Sequence, residues 1–278
     1  MADTSKDAAP LATEELSEAE SKTSGLRHLK NSYITIISTI VILLIWEVLG
    51  RQINPLFASF PTAIAEAGWK MLLDGNIITA FITSVQPLIV GYALAAVVGI
   101  PIGLLVGRYR VLEAAFGIYI TAGYATPLVA LVPLFVLWFG LGFAVKVAII
   151  FSLTIFPIII NTWAGVQSVP KSMIEVGTAF VASQSQIMRK IVVPATIPHI
   201  MTGLRLGVGR GVIGMVIAEF FTAISGLGAL IIQTGNSFKT ADMFVPIIVV
   251  MALGIGLTAL VGVLERKVAP WHRSVTGR

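Results

Sequence analysis

Apolar residues in this chain come in runs rather than in alternation, and the runs are long. Six of them approach or exceed the roughly 20 helical residues that cross a bilayer: residues 33–49, 77–107, 114–140, 146–166, 198–222 and 243–264. The pattern predicts an all-α membrane protein with six transmembrane helices in one domain, residues 31–271. The second and third runs exceed the minimum, which calls for tilt, a break or an interfacial extension. Pro101, Pro127, Pro133 and Pro157 fall inside runs, where each kinks the helix and frees a carbonyl. Between the first two runs, residues 60–75 open on Pro61-Thr62 and close on Gly75, the start and stop signals of a helix. Ile64, Trp69 and Leu72 suit that helix to lie flat on the outer interface. Residues 224–236 break twice at glycine before an apolar stretch and read as a short re-entrant or interfacial helix.

One polar island interrupts the runs. Residues 169–203 carry Lys171, Glu175, Arg189 and Lys190 together with helical periodicity. Met173, Val176, Gly177 and Phe180 recur at i, i+3, i+4 and i+7, one apolar stripe. Ile187 with Ile191, and Met188 with Val192, give a second stripe after the polar Ser183-Gln184-Ser185. Pro194 and Pro198 then end the second helix and start the fifth span. The expectation is an elbow of two short helices along the membrane face, hinged at proline. A hairpin lying passively on lipid is the plainer alternative, but Glu175 and the polar turn would be gratuitous there.

Composition sharpens this. With 56% hydrophobic residues, 12% charged and a mean hydropathy of +0.91, the chain falls among integral membrane proteins. Six of its 14 acids lie in the first 20 residues, so charge is nearly excluded from the body. Residues 1–30 read as an acidic, disordered cytoplasmic tail, with a short amphipathic helix over 13–22 as the alternative; residues 272–278 form a second short tail. No basic stretch precedes a short apolar core at the N-terminus, so it is not a cleaved secretory signal. The net charge of +5 suits anionic lipid headgroups rather than nucleic acid. Without cysteine, disulfides and thiolate chemistry are excluded.

Lysine and arginine set the orientation. With the N-terminus in the cytoplasm, inner segments hold Arg27, Lys30, Arg108, Arg110, Lys171, Arg189, Lys190, Arg266, Lys267, Arg273 and Arg278. Outer segments hold only Arg51, Lys70, Lys146 and Lys239. Both termini and the island are then cytoplasmic.

Glu175-Val176-Gly177, Pro194 nineteen positions later, and IPHIMTGLRL resemble the EAA loop of ABC-importer permeases, more narrowly the nitrate/sulfonate/taurine branch. TPLVALVPLFVLWFGLG at 126–142, FPIIINTWAGV at 156–166, VIAEFFTAISGLGALI at 216–231 and LERKVAPW at 264–271 agree, so the resemblance spans roughly residues 33–271. It implies a type I permease fold in the bacterial inner membrane, working as a homodimer with two ATPase subunits and a periplasmic solute-binding protein. ATP and Mg would be bound by the ATPase, leaving this chain without a cofactor or catalytic site. The solute implied is a small organic or inorganic anion such as a sulfonate, taurine or nitrate. Glu175, Val176, Gly177, Phe180, Val181, Ala182, Ser183, Gln186 and Pro194 would form the ATPase-coupling surface over 169–198. The family pattern places glycine where this chain has Val181, and a β-branched residue disfavours φ > 0. The expectation is therefore that the turn moves to Ser183–Ser185.

Ionisable groups within spans are functional candidates by default. Arg205 and Glu219 fall within about 40° of one another on a helix, roughly 21 Å apart along its axis, and are candidates to line a translocation path. Arg210 points about 140° from Arg205, towards the inner interface or a neighbouring subunit. A structural ion pair is the competing account of each. Lys146 and Lys239 are expected to snorkel to headgroups. Glycines recur every fourth residue at Gly99, Gly103, Gly107 and at Gly203, Gly207, Gly211, stripes that admit close helix packing in lipid. The chain has no phosphate loop and no H-E-x-x-H, and its three histidines are scattered, which argues against a metal site. A secondary transporter driven by ions is the alternative, yet its inverted repeats are not apparent; an intramembrane enzyme would need polar residues converging at depth.

Overall fold

The structure, a computed structural model, describes residues 33–222 and 224–270; the expected tails and the 13–22 helix lie outside them. Among the described residues there is no strand. The chain divides into two units, residues 1–65 and 66–278.

In the first unit, α1 (Tyr33–Gly50) is a single apolar helix. Its end is tied to the loop that follows. Trp46 Nε1 donates to the Ser59 carbonyl at 2.9 Å, Glu47 pairs with Arg51 at 2.6 Å, and the Arg51 guanidinium stands 4.9 Å over the Phe60 ring. The helix expected over 60–75 is α2 (Pro61–Leu73).

The second unit continues with α3 (Asn76–Arg108) and α4 (Arg110–Ala125), then a 3₁₀ turn at Leu128–Leu131 and α5 (Val132–Phe139). Next come α6 (Phe143–Gln167), α7 (Lys171–Ala179), α8 (Gln184–Ile187), a π turn (Met188–Val192) and α9 (Val193–Thr222). Last are α10 (Leu227–Asn236) and α11 (Thr240–Val268). Among the described residues five helices are long and apolar enough to cross a membrane, or six if the bent pair α4–α5 counts as one broken span. The third run is therefore not one helix: it turns through 84° at residues 126–127. Pro127 supplies the cause, since it lacks a donor and disfavours helical φ/ψ at Thr126, while Pro133 sits in the first turn of α5, where no donor is needed.

The α6 helix is the axis of the second unit, and glycine explains how closely it is held. The α3 stripe lies along it in parallel: a Cβ at Gly103 would come within 2.6 Å of Thr162 Cβ, and one at Gly107 within 2.6 Å of Val166 Cβ. The α9 stripe lies against it antiparallel, with Gly203 facing Asn161, Gly207 facing Thr154 and Ile158, and Gly211 facing Thr154. Both stripes thus grip one helix within one chain. Side chains at either stripe would force α3 or α9 away and forfeit the dispersion contacts that hold helices together in lipid.

Candidate functional site

The elbow is built from local signals. Helix α7 ends in a Schellman motif: Val181 N–H donates to Thr178 O at 2.9 Å and Ala182 N–H to Gly177 O at 3.0 Å. That motif needs a left-handed residue, and Val181 takes it, at φ 56°. The expectation that valine would shift the turn to Ser183–Ser185 is overturned. Two backbone bonds and the anchored Ala182 hold the strained conformation, while Ser183 at φ −64° instead caps the next helix. Its Oγ accepts from Gln186 N–H at 3.3 Å, and Gln186 Oε1 accepts from Ser183 N–H at 2.7 Å, a complete capping box.

The second helix does not stop at Pro194. Gln184–Thr222 is one continuous 39-residue helix, with Pro194 and Pro198 inside it. The π turn makes this possible: Val193 N–H reaches back to Met188 O, one carbonyl further than in an α-helix, so the chain widens just before a residue with no N–H. The proline-hinged break expected there is replaced by an unbroken rod.

The elbow has an inner and an outer face. Ile187 and Val192 are buried with Val166 and Val169, against Leu104 and Ile191. Gly177 faces this core, where a Cβ would stand 2.9 Å from Ile191 Cδ1, so it leaves the predicted stripe. Met173, Val176, Phe180 and Val181 point outward, with Phe180 82% and Val181 90% exposed. Glu175 is exposed beside them. A groove of about 530 Å³ separates the two arms, lined by Met173, Val176, Lys190, Ile191 and Pro194. Arg108, at the end of α3, holds the second arm through Gln184 Oε1 at 2.6 Å.

The three path candidates on α9 part company. Arg205 pairs with Glu265 of α11 and lines an open groove of about 810 Å³ between α9 and α11, with Arg266, Gly209, Thr258 and Gly262. Arg210 lies 5.8 Å over the Tyr124 ring, in a smaller pocket with Pro127 and Phe156. Glu219 lines neither groove: it is fully buried. Its carboxylate accepts from Ser84 Oγ at 2.8 Å and from Gly228 N–H at 2.8 Å, and Lys146 Nζ lies 3.2 Å away. Lys146 also donates to the Ser225 carbonyl at 2.8 Å. Lysine 146 therefore does not snorkel outward but turns into the bundle. The strong pairing available to it there, with a carboxylate and a carbonyl, offsets its desolvation. No spacing rule could find this pair, because its members lie 73 residues apart.

The family described as "Binding-protein-dependent transport system inner membrane component" matches residues 99–270. The chain is 30% identical over 239 residues to the putative aliphatic sulfonates transport permease protein of Bacillus subtilis (strain 168), covering 85% of this chain and 87% of that one. It is 31% identical over 252 residues to the taurine transport system permease protein of Escherichia coli (strain K12), covering 86% and 90%. Among solved structures, the MetNI methionine ABC transporter in an inward-facing conformation superposes with a TM-score of 0.52 at 18% identity, over 67% of this chain and 93% of that one.

Proposed function

We propose that this chain, which belongs to the family of binding-protein-dependent transport system inner membrane components and is the permease subunit of an ABC importer, is driven through its elbow by a separate ATPase. The observation that carries this is the outer face of the elbow. Met173, Val176, Phe180 and Val181 expose apolar surface beside Glu175, with exposed Lys171 at the start of the same helix and Lys190 across the groove. Apolar side chains rimmed by charge form a surface suited to a protein partner. One ATPase subunit seats on each elbow, with Gly177, Ala182, Ser183, Gln186 and Pro194 shaping that seat rather than touching across it. ATP and Mg are handled by the ATPase, and the permease makes no covalent change to the solute.

Two copies of this chain enclose the path in the bacterial inner membrane, and a periplasmic binding protein delivers the solute. The elbow end of the bundle gathers Arg108, Arg110, Lys171, Arg189, Lys190, Arg266 and Lys267, which supports placing it in the cytoplasm. On the opposite side Lys146 is buried, so it adds nothing to the outer headgroup layer. Arg205, held by Glu265, and Arg266 line the groove between α9 and α11, and relatives named for sulfonates and taurine support a small sulfonate-bearing or inorganic anionic solute. Arg205 serves that path; Arg210, on the far side of α9, serves the contact with α4.

Two experiments test the reading. Glu175→Arg combined with Phe180→Asp should abolish co-purification of the ATPase and solute uptake; retention of both would overturn the elbow as coupling surface. A thermal-shift screen of the partner binding protein should select sulfonates, taurine or nitrate, and selection of an uncharged heterocycle would overturn the anion assignment.

A further inference from the structure

Four helices meet at one carboxylate. Glu219 belongs to α9, Ser84 to α3, Lys146 to α6 and Gly228 to α10. Leu227 N–H closes the ring by donating to Ser84 Oγ at 2.8 Å. The α10 start is built around the charge. Gly226 sits at φ +109°, and a Cβ there would collide with the Glu219 carboxylate; a Cβ at Gly228 would stand 2.8 Å from Glu219 Cβ. Two glycines let the loop press its amides onto the oxygens, and the positive end of the helix dipole faces a negative charge.

Stability alone is a poor reason for this arrangement. A buried ion pair is generally no better than apolar residues of the same volume, whereas breaking it leaves an uncompensated charge. Such a cluster is therefore either fully made or fully broken, the behaviour of a switch. Its position gives it something to switch. The helix that carries Glu219 is the same unbroken rod that carries the second arm of the elbow, with Pro194 and Glu219 roughly 38 Å apart at 1.5 Å per residue. Between them the rod packs on α6 through glycine-faced contacts that contain no directional bonds, and its directional ties to other helices are few: Arg205 to Glu265 of α11, and the Tyr92 hydroxyl of α3 donating to the Leu204 carbonyl at 2.9 Å.

We propose that Ser84, Lys146 and Glu219 are positioning residues for transport: they form a latch that fixes the start of α10, and displacement of α9 from its elbow end releases it. The latch stands on its own geometry; its release by the ATPase rests on the elbow reading above. The α10 helix is held while the ring of donors is intact. A shift of α9 by an ångström or two pulls the carboxylate from Ser84, Lys146 and Gly228 together, since hydrogen bonds weaken steeply beyond their normal range.

The chain has no cysteine, so a single introduced thiol reports the latch. Ala229 of α10 is 1% exposed, and Ala229→Cys is a small change. The assembled permease–ATPase complex in nanodiscs is treated with a membrane-impermeant maleimide, nucleotide-free and after trapping with ATP and vanadate. Labelling is expected to be slow without nucleotide and faster by on the order of tenfold when trapped, as for loss of one strong charge-assisted bond. Adding Glu219→Gln, or the milder Ser84→Ala, should make labelling fast in both states. Lys146→Met with Glu219→Gln removes both charges, keeps the fold and should also label fast. Slow labelling in the nucleotide-free Ser84→Ala and Glu219→Gln complexes would overturn the latch. Fast labelling in those variants with no nucleotide response in the parent would overturn its release through α9. Loss of the ATPase from elbow variants bears on the coupling surface alone.

Discussion

Val181 is held at φ 56° with 90% of its surface exposed, so its replacement by glycine changes backbone energetics and little else within this chain. The left-handed conformation costs an L-residue about 1–2 kcal/mol that glycine does not incur. Glycine returns about 0.5–1 kcal/mol of this through the greater freedom of the unfolded segment. Val181→Gly should therefore stabilise the elbow turn by about 0.5–1 kcal/mol, which is about a two- to fivefold change in its opening equilibrium. The reporting amides are Val181 and Ala182, which bond Thr178 O and Gly177 O. Their hydrogen exchange, corrected for the intrinsic rates of the new residue, should slow by that factor. Val181→Ala keeps the left-handed penalty without the branch and should fall between. Val181→Pro fixes φ near −65° and removes the donor at 181, so the one reporter left, the Ala182 amide, should exchange faster. The same glycine variant strips an exposed side chain from the proposed docking face, so ATPase affinity should fall while the turn tightens. Unchanged or faster exchange in Val181→Gly would refute the claim that the native turn is strained.

Two further perturbations separate packing from exposure. Gly103→Ala places a Cβ 2.6 Å from Thr162 Cβ and 2.7 Å from the Ile159 carbonyl, and should destabilise the detergent-solubilised permease by about 1–3 kcal/mol. Gly209→Ala, with nothing within 4 Å, should be neutral or slightly stabilising in the same thermal melt. Ser183→Ala removes one side of the capping box and should cost about 1 kcal/mol of local stability, read as faster exchange at Gln186.

The spans and the short helices α2 and α10 were legible because length, apolarity and glycine or proline punctuation are local properties. The glycine stripes were legible as packing surfaces, but not that both address α6, since four-residue spacing names a face and not its neighbour. The break at residues 126–127 was signalled by Pro127, but prolines inside an apolar run are equally compatible with a bent single helix. Pro194 misled because the π turn that accommodates it comes from hydrogen-bond register, to which residue type gives little clue. Val181 takes the left-handed position against its propensity, because two tertiary-independent backbone bonds that no propensity encodes override it. Lys146 and Glu219 each resembled an isolated charge in a span; their pairing is tertiary and invisible to spacing. The elbow surface was visible from its stripe, although Gly177 turned out to face inward.

The double grip on α6 constrains how this protein can drift. A residue enlarged on α3 opposite Thr162 or Val166 finds backbone close behind its neighbour, so it survives only beside a matching reduction on α6. Thr154 and Ile158 face glycines of α9 in the same way, which leaves the middle helix answerable to two partners at once. Divergence among homologous permeases should therefore be slowest along α6, with paired size exchanges across its two seams and freer change on surfaces that meet only lipid.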